Sequence, residues 1–375
     1  MSDSIFKEVT FTPQSFDKEY IFSNHRRFGK LIAILEGLID SGIIVAASDS
    51  WNNDVYNYLD KYEDDDKNDI IYLLEALSNR NRISIYPQQK KLIDEVLWID
   101  EINLLNKSRR FDFAAGTINN KTVKTIEDID AKTYLNAGAK IRKQTIENIK
   151  KIVDPILTYA EIVKIYDPYF TIDRDRFFDV LKVICEYLGS VYGKKNDAII
   201  DIHTSVKSML NNKGEFDWRK AEGWIQKIKH LEKKYNHNIT IKIWEDTDQN
   251  EWHDRWLITN QCGVSMGKGS DTSDWTDATW GLLDWEDLPK IEDKFTEGKQ
   301  FYHYIGKVTS NGPMPAKEWK PKTVSVYMTK EEQKLESDKL QREANLAEKE
   351  RLEKLKNVKK LGKGLVLLSK RKNNG

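Results

Sequence analysis

The residues with the most chemical promise lie late in the chain. His253, Asp254 and Arg255 precede a short apolar run, "WLIT", then Asn260, and then Gly267, Lys268 and Gly269 with Ser270 and Asp271 behind them. Covalent phosphoryl chemistry needs an oriented imidazole, and a pentavalent phosphorus needs fixed positive charge around it. His253 could supply the first, and Arg255 and Lys268 the second. A guanidinium offers a planar fork of donors to two phosphate oxygens, so Arg255 is suited to a clamp. Gly267 and Gly269 read as a turn that needs positive φ. The pattern therefore fits either a phosphodiester-cutting site or a phosphate-holding one.

The elements that must position these residues are legible in the pattern of apolar positions. "EIVKIY" reads as a buried strand ending at Asp167, Pro168 and Tyr169, and "RDRFFDVLKVICEYLG" as an amphipathic helix. "DAIIDIHTS", with His203 near its end, is a second strand, "DWRKAEGWIQKIKHLEKKY" a second helix, and "NITIKIWE" a third strand with Ile239, Ile241 and Ile243 on one face. Strand, helix, strand, helix, strand predicts a largely parallel sheet with right-handed crossovers. "RWLIT" and "GVSM" would add a hairpin around Asn260 to Gly263. Earlier, Phe28, Leu31, Ile32, Leu35, Leu38 and Ile39 recur at helical spacing, and Gly42 stops that helix before "IIVAA". Further helices are expected in "NDIIYLLEALSN" and "KKLIDEVLWIDEINLL", with the strand "RISIYP" between them.

The fold class expected is thus α/β. Residues 1–120 form a helix-rich domain, 121–158 a helical connector, 159–328 a mixed, largely parallel sheet flanked by helices, and 329–375 a charged helix with a basic tail. The 375 residues suffice for two cores. The 60 basic and 60 acidic side chains cancel, so any anion site must be local. Two cysteines, Cys185 and Cys262, argue against a disulfide framework and for a reducing, cytoplasmic setting. No signal peptide or membrane-spanning run is recognisable, since Glu36 and Asp40 interrupt the longest apolar stretch. Most tryptophans fall between Trp218 and Trp285 and are expected in the core of the second domain.

The spacing of His253, Arg255, Asn260 and Gly267 resembles the signature of the phospholipase D superfamily, His-x-Lys, four residues, Asp, six residues, Gly-Ser, with arginine for lysine and asparagine for aspartate. From Ile162 to Trp285 the order "IYDPYF", "IDIHTS", "ITIKIW", "HDRWLITN", "GKGSD" is similar to the phospholipase-D-like C-terminal domain of proteins carrying a microtubule-interacting-and-trafficking domain. The superfamily resemblance implies His253 as nucleophile, Arg255 and Lys268 as oxygen clamps, and Asn260 in the supporting network. A neutral amide stabilises an imidazolium less well than a carboxylate. The closer resemblance implies an anion pocket of His253, Arg255 and Lys268 with Asp167 and Tyr169 at its rim, and binding without hydrolysis. One motif is present where the superfamily site uses two, so a homodimer or another acid, for which His203 is the candidate, would have to complete it.

Other signals are weaker. "GVSMGKGS" is one residue short of a P-loop and lacks the magnesium-binding hydroxyl, which excludes nucleoside triphosphatase chemistry. Asp94, Glu95, Asp100 and Glu101 are expected on a solvated helix face. No His/Cys cluster has zinc spacing, and no metal or cofactor is expected. The reading is a phosphate-recognising, phospholipase-D-like protein that binds or cleaves nucleic acid, set by association in a prokaryotic antiviral or mobile-element conflict system. The enzyme form would be a metal-independent phosphodiesterase or nuclease. The alternatives are a non-catalytic module for an anionic ligand or lipid headgroup, and a structural subunit of a larger assembly contacted through the N-terminal domain or the C-terminal helix.

Overall fold

A computed structural model describes residues 5–86, 92–109, 111–130, 139–141, 143–195, 197–210, 216–247, 251–267, 269–272, 277–299 and 301–316. The expected charged helix from Thr329 and the basic tail lie outside them. The chain divides into a large unit, Met1–Met209 with Trp218–Trp319, which holds both sheets, and a small one, Leu210–Asp217 with Lys320–Gly375. Of the small unit, an isolated antiparallel bridge between Leu210 and Phe216 is described.

The chain opens on a strand that its charged start conceals, β1 (Lys7–Phe11), buried along its whole length. Lys7 meets Asp112 at 3.6 Å and Glu8 is ion-paired with Arg109, so the central strand of a sheet can begin with two charges. After α1 (Lys18–Phe22), helix α2 (Arg27–Ser41) buries Leu31, Leu35 and Leu38 of the expected stripe together with Ile34, while Phe28, Ile32 and Ile39 are half-buried, and Gly42 starts β2 (Gly42–Ala46). Helices α3 (Trp51–Leu59) and α4 (Asp64–Asn79) lead to β3 (Ile83–Ile85). Helix α5 (Glu95–Ser108) starts later than expected because the Asp94 carboxylate caps it, accepting from the Leu97 amide at 2.9 Å. Strands β4 (Phe113–Gly116) and β5 (Val123–Thr125) complete an all-parallel sheet of order β3-β2-β1-β4-β5. That is the doubly wound order, whose direction reverses between β1 and β4.

The expected helical connector is only partly helical. β-branched Val123 and Thr125 pair with the open edge of β4, and β6 (Ala139–Ile141) joins the far edge of the second sheet, so among the described residues the α-helix there is α6 (Ile146–Leu157). Sheet membership changes between residues 125 and 139.

The second sheet has the order β14-β13-β9-β8-β7-β10-β11-β12-β6. Strands β7 (Ile162–Tyr166), β8 (Ile199–Ser205) and β9 (Asn238–Glu245) are parallel, joined through α7 (Asp175–Tyr187) and α8 (Ala221–Tyr235) as the sequence predicts. Parallel pairing stops there. β10 (Trp256–Thr259) returns against β7, forms the expected hairpin with β11 (Gly263–Met266), and is followed by β12 (Ala278–Leu282), helix α9 (Asp287–Lys294), β13 (His303–Thr309) and β14 (Gly312–Pro315).

Ile165, Ile200, Ile202, Ile239, Ile241 and Ile243 are buried on one face of this sheet. On the other, Tyr166, Trp244, Trp252, Trp256 and Phe295 pack with Leu288 and Ile291 of α9. Trp224, Trp244, Trp252, Trp256 and Trp280 are thus buried in the core, as expected, while Trp218 and Trp285 are half-buried. Both cysteines are buried free thiols. Among the described residues no helix is long and apolar enough to cross a membrane.

Candidate functional site

Ligands of open α/β sheets bind beyond the carboxyl ends of the parallel strands. At that end of β7 the chain turns through Asp167, Pro168 and Tyr169, and Asp167 is the organising residue. Its carboxylate is buried; Oδ2 accepts from the Ser270 amide at 2.8 Å and the Ser270 hydroxyl at 2.9 Å, and Oδ1 accepts from the Tyr169 amide at 2.9 Å. The last bond is an Asx turn, which explains why Asp-Pro-Tyr ends the strand. Both Ser270 donors are thus spent on Asp167 and are not open to a phosphate.

Arg255 stands against this carboxylate, its Nε 3.7 Å from Asp167 Oδ1. Nη1 reaches the Gly267 carbonyl at 3.4 Å, and the guanidinium carbon sits 5.0 Å from the centre of the Tyr169 ring. Tyr169 is 43% exposed. The pair is therefore an arginine laid on a solvent-facing aromatic ring, with part of its fork still open.

The two flanking glycines have different reasons. Gly269 has φ +96°, and a Cβ there would fall 2.7 Å from Asp167 Oδ2 and 2.9 Å from Arg255 Cδ. Gly267 does not have positive φ; it lies close to β12, where a Cβ would come 3.0 Å from the Thr279 carbonyl oxygen. Gln144 donates to the Gly269 carbonyl at 3.0 Å, and its Oε1 is buried without a hydrogen-bond partner. Lys268 lies outside the described residues.

His253 is largely exposed, with Nε2 3.1 Å from Glu251 Oε2. The hydrogen bond from His253 holds the Glu251 carboxyl below its ordinary range. Asn260 does not belong to this site. It sits in the hairpin turn, where its Oδ1 accepts from the Glu161 amide at 3.1 Å and its carbonyl from Asn81 at 3.0 Å. The four residues of β10 separate it from Arg255, five steps of extended chain or roughly 16 Å at about 3.3 Å per residue. The carboxylate beside His253 is that of Glu251.

His203 is a second correction. It lies inside the aromatic layer, 4.3 Å from the Tyr166 ring, stacked on Trp244 at 5.8 Å and edge-on to Phe295. Neither ring nitrogen has a hydrogen-bond partner, and burial, reinforced by Lys242 and Lys164, pushes its pKa well below the usual histidine value. A neutral imidazole on the α9 side of the sheet cannot serve as the leaving-group acid at the strand ends.

The edge also holds residues that the motif did not include. Lys207, just after β8, meets Asp246 at 3.2 Å and Glu251 at 3.6 Å, and Arg176 of α7 meets Asp271 at 3.1 Å. Burial pushes the Asp271 carboxyl up, with Arg176 opposing it. Among the described residues Arg255, Arg176, Lys207 and His253 each face a carboxylate, so an anion must compete for these cations. Glu251, two residues before His253, was open to sequence reasoning; Lys207, Arg176 and Gln144 arrive from separate elements and were not.

The acidic group at α5 splits. Asp94 is the cap, Asp100 is exposed and Glu101 buried. Glu95 accepts from Thr12 Oγ1 at 3.1 Å, the Thr117 amide at 2.6 Å and the Thr117 hydroxyl. Among the described residues no group of three or more His, Cys, Asp or Glu is placed to hold a metal ion.

No protein-family model matches the chain, and no curated protein matches it. A solved structure of TrmBL2, an archaeal chromatin protein with a novel mode of DNA binding, is similar over 62% of this chain and 80% of its own, at 11% identity and a TM-score of 0.23. At that score the likeness assigns neither fold nor function.

Proposed function

We propose that the strand-end edge of the second sheet recognises a phosphodiester and that nucleic acid is its ligand. The observation that carries this is Arg255 lying on the exposed ring of Tyr169 beside an exposed imidazole. A guanidinium fork suits a phosphate, and an exposed aromatic ring suits a base, since stacking contributes about 1–3 kcal/mol per base without sequence preference. The phospholipase-D-like order of strands and motif supports the same edge. Recognition is the main role, because Asn260 and His203 are both removed from His253.

A second reading, metal-independent cleavage with His253 as nucleophile, is favoured by one observation, the Glu251 carboxylate on His253. It would need a leaving-group acid from a second copy of the chain.

One experiment separates the two: binding and cleavage of single- and double-stranded DNA and RNA in the presence of EDTA, for wild type, Arg255→Ala, His253→Ala and Glu251→Gln. The expected result is binding without cleavage, weakened about tenfold by Arg255→Ala, the loss of roughly 1.4 kcal/mol. Chelator-resistant cleavage that disappears in both His253→Ala and Glu251→Gln would establish the enzyme. Binding unchanged in Arg255→Ala would remove this edge from the ligand path.

A further inference from the structure

We infer that the first sheet carries a separate binding site for an uncharged nucleobase or nucleoside, in a cavity at the carboxyl ends of its parallel strands. The cavity, about 360 Å³, lies between the turn after β1, helix α3 and the start of α5. Its volume falls within the range of small-ligand pockets, about 300–1,000 Å³. Its position is where doubly wound sheets take ligands, beside the reversal of strand order between β1 and β4.

The lining selects the ligand. Leu92, Ile93 and Trp98 make an apolar wall, and Gln14, Asp54 and Asn57 bring polar groups to it. Gln14 Oε1 is buried without a hydrogen-bond partner; turned toward the cavity that Gln14 lines, it is an acceptor that a ring N–H or exocyclic amine would satisfy. A flat heterocycle with an apolar face and N–H donors on its edge answers both features.

The charges argue against a phosphate. Among the described lining residues the cation is Lys61, already 3.3 Å from Asp17 and 4.7 Å above the Tyr58 ring. Asp54 lines the cavity, and at the start of α5 the Glu95 carboxylate takes the Thr12 and Thr117 donors a phosphate would use. A nucleoside should therefore bind more tightly than its 5′-monophosphate.

The test is isothermal titration of the whole chain with adenosine, guanosine, cytidine and uridine and with their 5′-monophosphates. At least one nucleoside should bind with a Kd on the order of 0.1 mM, as expected for a ligand of that size. Gln14→Leu should weaken it about tenfold. Ile93→Trp, at a position 72% exposed, should block it without unfolding the protein, which thermal melting checks. Arg255→Ala should leave it unchanged, so the result is independent of the edge site. The inference is overturned if no nucleoside binds at about 1 mM, if binding survives both Gln14→Leu and Ile93→Trp, or if a monophosphate binds ten times more tightly than its nucleoside.

Discussion

Gly269 shows how one residue type can hold a site together. Its φ of +96° is costly for any residue with a Cβ, and the added atom would press on both Asp167 and Arg255, the two groups that define the edge. Gly269→Ala should cost about 1–3 kcal/mol of stability in denaturant unfolding and weaken nucleic acid binding. Gly281→Ala is the matching control, since nothing lies within 4 Å of its Cβ position. Equal effects of the two substitutions would mean that the Gly269 turn does not organise the edge.

At the scale of elements, the layer between the second sheet and α9 contains an unusual member, a histidine with both nitrogens unbonded among Tyr166, Trp244 and Phe295. Lys164 is ion-paired with Glu292 at 2.6 Å and Lys242 with Asp201 at 2.7 Å, and both lysines oppose a second positive charge there. His203 is therefore neutral when folded and titrates freely when unfolded. Below about pH 6.5 the unfolded chain binds the extra proton, so stability that is full above that value falls as pH drops, by up to about 1.4 kcal/mol per pH unit. His203→Phe keeps a ring in the layer and should flatten this part of the curve; an unchanged acid slope in the variant would show that His203 is not its source.

For the molecule as a whole, two arginines, the buried Arg82 and the half-buried Arg109, join the sheets. Arg82 donates to the Gln261 carbonyl at 3.0 Å on the hairpin of the second sheet and to the Leu38 and Ile39 carbonyls at the end of α2 in the first. Its bonds are to carbonyls, and burial lowers its pKa. Arg109 binds Glu8 of β1 and reaches Asp154 of α6 at 3.1 Å. Arg82→Met fills the space but leaves those carbonyls without donors, which should cost about 2–4 kcal/mol by calorimetry and split unfolding into two transitions. A single transition at an unchanged temperature would mean that the sheets are joined elsewhere.

The sequence by itself determined the α/β class, helices α2, α4, α7 and α8, the parallel triplet β7–β8–β9 and the hairpin after it, because each has an apolar period that burial on one face enforces. It also located Asp167, Tyr169, His253, Arg255 and Gly269 at one edge, since they lie at strand ends of that pattern. Tertiary structure alone decided the rest. β1 is hidden by Lys7 and Glu8, whose partners Asp112 and Arg109 are about a hundred residues away. β5 and β6 are three residues each, too short for a period to register. Asn260 keeps the motif spacing but falls at the opposite end of β10, and His203 points into an aromatic layer that the chain closes only with Phe295. Spacing along a chain specifies which residues share a strand; which end and which face carry the chemistry depends on contacts between elements distant in sequence.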